Sequence, residues 1–505
     1  MKTNLIEYLS ETVIKHPHKI AIVDDGVVVS YIELEEISNK IAATICSKDP
    51  LLRSPIAVFM PKNSWAILSF VGVFKSGNFY VPLDVKSPIE RISKILESLN
   101  TPFVITDIEH KKHLLLLGYK GTIIVVEEAV SISLSKENSK NLTNITQQVV
   151  DVDPIYSIFT SGTTGNPKGV LISHKGVVDF IEWAIETYSI TNKDRIGNQV
   201  PFHFDVSTLD IYSMLVAGAT LYIIPENRFV FPIKLIEYVN EHQINSVIWV
   251  PSVLNSISNF NTFATIKPTC LTKVLFAGEV MSNKHLNYWR KNYPTAMYSN
   301  LYGPTETTVI ATYYIVNRSF KDNEPLPIGK ACKNIQTLVL TEEGILQRNG
   351  ELGELYVRGS TIALGYYNDA ENTKLAFIQN PLHNAYPDIV YKTGDLVSEN
   401  EHGELLFVGR KDSQIKHMGY RIELGEIETA IMGVEGVQNA CVLYDPIQHK
   451  IVAFFISNKS NIEIRKALRV TLPKYMIPTK WIQKERFPLN VNDKIDRAEL
   501  RNQIG

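Results

Sequence analysis

The segment Phe159-Thr160-Ser161-Gly162-Thr163-Thr164-Gly165-Asn166-Pro167-Lys168-Gly169 concentrates small hydroxyl side chains, glycines and one lysine directly after the strand-like run Ile155-Tyr156-Ser157-Ile158. Such a loop can fold its backbone around phosphate oxygens, presenting N–H groups and hydroxyls while Lys168 supplies positive charge. It is not a Walker A loop: Asn166 and Pro167 separate Gly165 from Lys168, and Gly169 stands where Ser or Thr would ligate magnesium. Thr160, Ser161, Gly162, Thr163, Thr164, Gly165 and Lys168 are therefore candidate phosphate-binding residues. A flexible surface turn is the plain alternative, and the ordered Pro-Lys-Gly ending argues against it.

Further along, Asn300-Leu301-Tyr302-Gly303-Pro304-Thr305-Glu306 offers an amide able to pair with a base, a flat ring for stacking and a hard carboxylate oxygen suited to magnesium. Asp395 follows Gly394 and can accept two hydrogen bonds from neighbouring hydroxyls, although a turn aspartate would have the same local sequence. Arg410, after a glycine, is uninformative taken alone.

The elements that must position these residues read as an α/β alternation. Ile56–Met60, Pro102–Thr106 and Gly121–Val126 are short, β-branched runs bounded by Pro, Asp or Gly, as buried strands are. Trp65–Phe74 and Glu90–Leu96 carry a helical period between them, which points to a parallel sheet. The polar stretch Ser135–Asn144 reads as a surface loop.

At 505 residues the chain exceeds the usual single domain, so at least two units are expected. Hydrophobic residues make up 45% and charged residues 21%, which excludes a disordered or fibrous chain. With 51 Lys plus Arg against 53 Asp plus Glu and no long basic run, a nucleic-acid partner is not expected. Cys46, Cys270, Cys332 and Cys441 are widely spaced and suggest neither a zinc site nor a disulfide framework. Glu7 interrupts the N-terminal stretch before an apolar core can build, and no run reaches membrane-spanning length. A cytoplasmic protein without a membrane partner is the expectation.

The phosphate loop resembles the signature of the adenylate-forming superfamily, and the likeness runs nearly end to end. Val29–Leu34, Lys75–Asp84, Asn300–Thr308, Tyr391–Asp395, Gly409–Lys416 and Leu472–Pro478 are similar to that family's core motifs, in its order. The resemblance implies an α/β fold: a large N-terminal adenylate-forming domain of α/β subdomains, residues 1–410, and a small mobile α+β domain, residues 411–505. It implies ATP and Mg2+ as cofactors, with Gly278, Glu279, Asn300, Leu301, Tyr302, Gly303, Pro304 and Thr305 around the adenine. Asp395 would hold the ribose, Arg410 the ribose-phosphate region and Glu306 the metal. Lys494 would be catalytic, bridging the substrate carboxylate and the α-phosphate, although Asp493 stands where the family commonly has Gly. Asp412 would be the hinge whose rotation withdraws Lys494 and presents the Gly419 loop to a thiol.

Asp205 sits where amino-acid-activating members place the carboxylate for the substrate ammonium, which favours an amino acid; a helix cap is the plain alternative. Motif alignment adds Val206, Leu209, Trp249, Leu275, Ala277, Leu301, Val309 and Ile310 as an apolar pocket, closed by Lys494, for a short side chain. This set is most like that of free-standing prolyl-carrier-protein ligases, which implies L-proline as substrate and a separate carrier protein bearing a phosphopantetheine arm. D-alanine-carrier-protein ligase is the runner-up, and an acyl-CoA synthetase shares the ATP motifs but not Asp205. With only residues 495–505 after Lys494, the carrier is expected to act in trans.

Overall fold

Short apolar runs become the central strands of two large sheets in the computed structural model, which describes residues 2–48, 52–161, 166–347, 350–412, 414–488 and 495–504. The chain divides into two compact units. The larger comprises residues 1–85, 101–158 and 169–411, and the smaller comprises 86–100, 159–168 and 412–505. The mixed α/β architecture, with a large N-terminal and a small C-terminal part, is the one the sequence implies.

The expected strands appear as Pro55–Phe59, Phe103–Thr106 and Thr122–Val125, pairing in parallel within a seven-stranded sheet. Burial of Pro55–Phe59 and Phe103–Thr106 on both faces explains why these two read as continuous rather than alternating apolar runs. The expected helix over Trp65–Phe74 is Ser64–Lys75, started by Asn63, whose side chain accepts from the Ala66 N–H. Ser135–Asn144 corrects the expectation of a loop. Lys136–Thr146 is a helix, begun by a reciprocal capping box between Ser135 and Asn138. It buries only Leu142, against Ala42 and Ala43, so its composition stays polar.

In the nine-stranded sheet, Thr220–Ile223, Arg195–Asn198, Ser246–Trp249, Lys273–Ala277 and Met297–Tyr302 run parallel, and Thr312–Ile315 closes antiparallel on Met297–Tyr302. A third, antiparallel sheet contains Gly353–Gly359, Ile389–Glu399 and Leu405–Arg410.

The smaller unit holds the hairpin Gln414–His417/Tyr420–Glu423 and a three-stranded sheet of Val437–Asp445, Lys450–Ser457 and Lys480–Gln483. In the same unit Arg91, on the helix Ile89–Leu99, donates to Glu426 at 2.8 Å with both side chains nearly buried. Among the described residues no helix is long and apolar enough to cross a membrane.

Candidate functional site

Asp395 lies within the long strand Ile389–Glu399 and is directly opposite Arg410 on the neighbouring strand. Antiparallel register thus brings together two residues fifteen apart in sequence. Arg410 donates through Nη1 to Asp395 Oδ1 and through Nη2 to the Thr393 carbonyl at 3.2 Å. The Tyr302 hydroxyl donates to Asp395 Oδ2. Burial pushes the Tyr302 phenol well above its ordinary range, and the Asp395 charge adds to it, so the tyrosine stays protonated as a donor. Gly394 has φ +74° and its N–H donates to Glu354 at 3.1 Å, a conformation suited to glycine. Asp395 is therefore not a turn residue but the acceptor at the centre of a buried cluster.

Tyr302 ends the strand Met297–Tyr302, and its ring packs among Ala311, Ile328, Leu355 and Val357. Two residues before it, Asn300 donates to the Pro327 carbonyl at 2.8 Å. Gly303 then passes so close to the Val309 carbonyl that a Cβ would meet it at 2.3 Å, and Pro304 leads into the single turn Thr305–Thr307. Thr308 and Val309 follow with φ +53° and +74°, a conformation costly for β-branched residues. Glu306 is fully buried and accepts from the Tyr366 hydroxyl at 2.7 Å. Tyr366 was not singled out from the sequence; it lies sixty residues away, and no local signal links the two. Gly278 has φ +92°, and Glu279 accepts from the Ser252 N–H at 2.9 Å, at the start of the helix Pro251–Asn259.

Of the phosphate loop, Gly162, Thr163, Thr164 and Gly165 lie outside the described residues, as does Lys494. Thr160 ends its strand with Oγ1 buried and without a hydrogen-bond partner among the described residues. Ser161 donates to the Arg421 carbonyl at 2.9 Å within the smaller unit. Lys168 is half-buried and opens the strand Lys168–Ser173. Asp412 is exposed and accepts from the Gln414 N–H at 3.1 Å, while Met418 and Gly419 turn the following hairpin at φ +53° and +81°.

Asp205 precedes the helix Val206–Ala217 in a helical conformation, φ −61° and ψ −33°, and its side chain makes no cap hydrogen bond. A helix cap is thus not its role. Leu209, Leu275, Ala277, Leu301, Val309 and Ile310 are all buried in one core cluster, with Val206 packed against it. Ala277 is the direct strand partner of Leu301. Trp249 is not brought to this cluster. It pairs with Phe276, so its indole shares that residue's face of the sheet, opposite Leu275 and Ala277. There the ring meets Phe229 edge-on and Nε1 donates to the Gly197 carbonyl at 3.1 Å, within a second core.

Among the described residues no group of three or more His, Cys, Asp or Glu side chains gathers as a metal cage. A magnesium ion carried by a triphosphate needs fewer protein ligands, and a lone carboxylate such as Glu306 is of the right chemical type.

Residues 9–367 match the family described as AMP-binding enzyme, and residues 426–494 match the AMP-binding enzyme C-terminal domain. The chain is 31% identical to tyrocidine synthase 1 of Brevibacillus parabrevis over 96% of its own length but only 43% of that protein's. It is also 31% identical to a D-alanine–D-alanyl carrier protein ligase of Bacillus cereus (strain ATCC 10987 / NRS 248), covering 99% of both chains. The fold resembles the Vibrio cholerae adenylation domain AlmE, solved in complex with glycyl-adenosine-5'-phosphate. The TM-score is 0.84 at 22% identity, over 100% of this chain and 98% of that one. With both parts of the family matched along the sequence and a full-length relative at this identity, the chain belongs to the AMP-binding enzyme family.

Proposed function

We propose that this chain activates an amino acid as its aminoacyl-AMP, releasing pyrophosphate, and then passes the acyl group to the phosphopantetheine thiol of a separate carrier protein. The observation that carries this reading is Asp205, a half-buried carboxylate that leaves the adjoining helix uncapped and stands one turn before Leu209 of the apolar cluster. A negative charge bordering an apolar wall suits a substrate with an ammonium group and a side chain that needs no hydrogen bond. Fatty and aryl acids offer Asp205 nothing.

ATP, in this reading, sits with its adenine near Tyr302, Asn300, Gly278 and Glu279 and its ribose hydroxyls on Asp395, with Arg410 alongside. The buried Thr160 hydroxyl, without a partner among the described residues, fits a phosphate oxygen as its acceptor. Mg2+ held by the phosphates and Glu306 would neutralise charge on the leaving pyrophosphate. Lys168 and Lys494 add positive charge where carboxylate and α-phosphate approach. For the second half-reaction, rotation at Asp412 between residues 1–410 and 411–505 exchanges Lys494 for the Gly419 loop.

L-Proline is the leading substrate, because the positions aligned beside Asp205 (Val206, Leu209, Leu275, Ala277, Leu301, Val309 and Ile310) are all apolar. D-Alanine is the second reading, favoured by the full-length match to the carrier protein ligase. With Trp249 in the other core, the argument for a short side chain rests on Leu301 and its strand neighbours. Amino-acid-dependent pyrophosphate–ATP exchange with L-proline, D-alanine, L-alanine, L-valine and a set of fatty and aryl acids tests this. Exchange with L-proline alone is the expected result, preference for D-alanine moves the assignment to the second reading, and exchange only with acids lacking an amine overturns the role of Asp205.

A further inference from the structure

Five residues beyond Asp205, on the helix that follows it, a second carboxylate lies inside the protein. Asp210 and Asn198 are both fully buried. Asn198 Nδ2 donates to Asp210 Oδ2 at 2.8 Å, while Asp210 Oδ1 and Asn198 Oδ1 have no hydrogen-bond partner among the described residues. Two orphaned acceptors in one bonded pair signal a missing hydrogen. A carboxylic acid supplies it: its O–H can donate to the amide oxygen while the amide N–H donates back, so one proton satisfies both orphans.

The chemistry of the surroundings agrees. Burial pushes the Asp210 carboxyl up to about 8, against smaller downward pulls from the Asn198 bond and from Lys62. Lys62 is the charged group acting on Asp210. The phenols of Tyr80, Tyr156 and Tyr212, in the core shared by Leu209 and Ile211, are all raised by burial and remain neutral, and Asp205 acts on Tyr156. Tyr80 and Tyr212 hydrogen-bond one another at 2.8 Å.

The pair sits at a joint. Asn198 is the last residue of its strand, flanked by Ile223 on one side and Ile248 on the other. Lys62 donates to the Asn198 and Gln199 carbonyls at 3.3 and 2.8 Å, fixing the chain as it leaves the sheet. Further along, Ser207 and Thr208 donate to the Phe204 and Asp205 carbonyls, each at 2.6 Å. The connection carrying Asp205 is thereby held at both ends, and Asp210 is the link from the helix back to the sheet.

We propose that Asp210 is a positioning residue: through its carboxyl-to-amide pair with Asn198 it fixes the helix start that carries Asp205, and so sets the affinity for the substrate's ammonium group. The proposal rests on the reading of Asp205 given above. Its test compares Asp210→Asn, which can keep a two-bond amide pair, with Asp210→Leu, which cannot, in pyrophosphate–ATP exchange on the full chain. In Asp210→Leu the KM for the amino acid should rise by about tenfold or more while the KM for ATP holds. In Asp210→Asn both should stay within about twofold of wild type at pH 7.

A melting-temperature series provides an arm that does not depend on activity. A carboxyl raised in the folded state makes stability fall as pH rises from the unfolded value near 4 toward 8, so Asp210→Asn should gain on wild type across that window. An unchanged amino-acid KM in Asp210→Leu, an equal rise in the KM for ATP, or an Asn variant as impaired as the Leu variant overturns the proposal. So does a melting difference that ignores pH. Wild-type protein that exchanges with no amino acid sinks the reading of Asp205 instead.

Discussion

Two buried polar clusters of the larger unit are built in opposite ways. Around Asp395 each oxygen already has a donor, Arg410 on one side and Tyr302 on the other. Around Asp210 the atoms are equally buried, yet among the described residues an acceptor on each partner goes without. The first cluster is complete as a set of charges. The second is complete only with a proton, so its geometry is tied to protonation. A fully satisfied network resists rearrangement, whereas a partly satisfied one responds to its surroundings.

The largest effect that would break this contrast comes from Asp395→Ala. It removes the acceptor of two bonds, from Arg410 and from Tyr302, and takes the carboxylate away from a nearly buried guanidinium, which should destabilise the protein by about 3–5 kcal/mol. The same change should lower kcat/KM for ATP by about a hundred- to a thousandfold in exchange assays. Urea melts within error of wild type would show that the cluster is not the rigid frame described here.

Trp249→Phe sharpens the other side. It should cost about 1–3 kcal/mol in denaturant unfolding, because the Gly197 carbonyl loses its donor in a dry core. The order of preference among amino acids should not change; a switch in that order would return the indole to the pocket. The smallest effect is expected from Tyr366→Phe. Glu306 loses one hydrogen bond, about 0.5–1.5 kcal/mol of stability, with exchange at saturating magnesium staying within about threefold.

The central strands were legible because a strand buried on both faces must be apolar throughout, as Pro55–Phe59 and Phe103–Thr106 are. Lys136–Thr146 was missed because one buried leucine per three turns leaves hardly any periodicity; its true signal was the pair Ser135 and Asn138 at capping-box spacing. The motifs pointed to Asp395, Glu306 and Asp205, but not to what holds them. Arg410 faces Asp395 through strand register, and Tyr366 reaches Glu306 across tertiary structure, neither of which is local. Trp249 shows the same limit differently. Alignment gives the identity of a position, and the two-residue alternation of a strand decides which face it serves. Asp210 did leave a trace, a charge between Leu209 and Ile211 in a helix with almost no polar face, where an ionised side chain would be out of place.

The two consecutive left-handed residues, Thr308 and Val309, bear on how easily the enzyme's selectivity can drift. Most positions lining an apolar cavity lose stability when trimmed, since the void is not refilled. At Val309 the loss is offset, because glycine adopts φ +74° without the penalty that a β-branched residue bears there. On the proposed reading, in which Val309 borders the amino-acid side chain, a single-step change at this codon to glycine would make room there at lower cost than at its neighbours, making position 309 the natural route by which a lineage of such enzymes would broaden its diet.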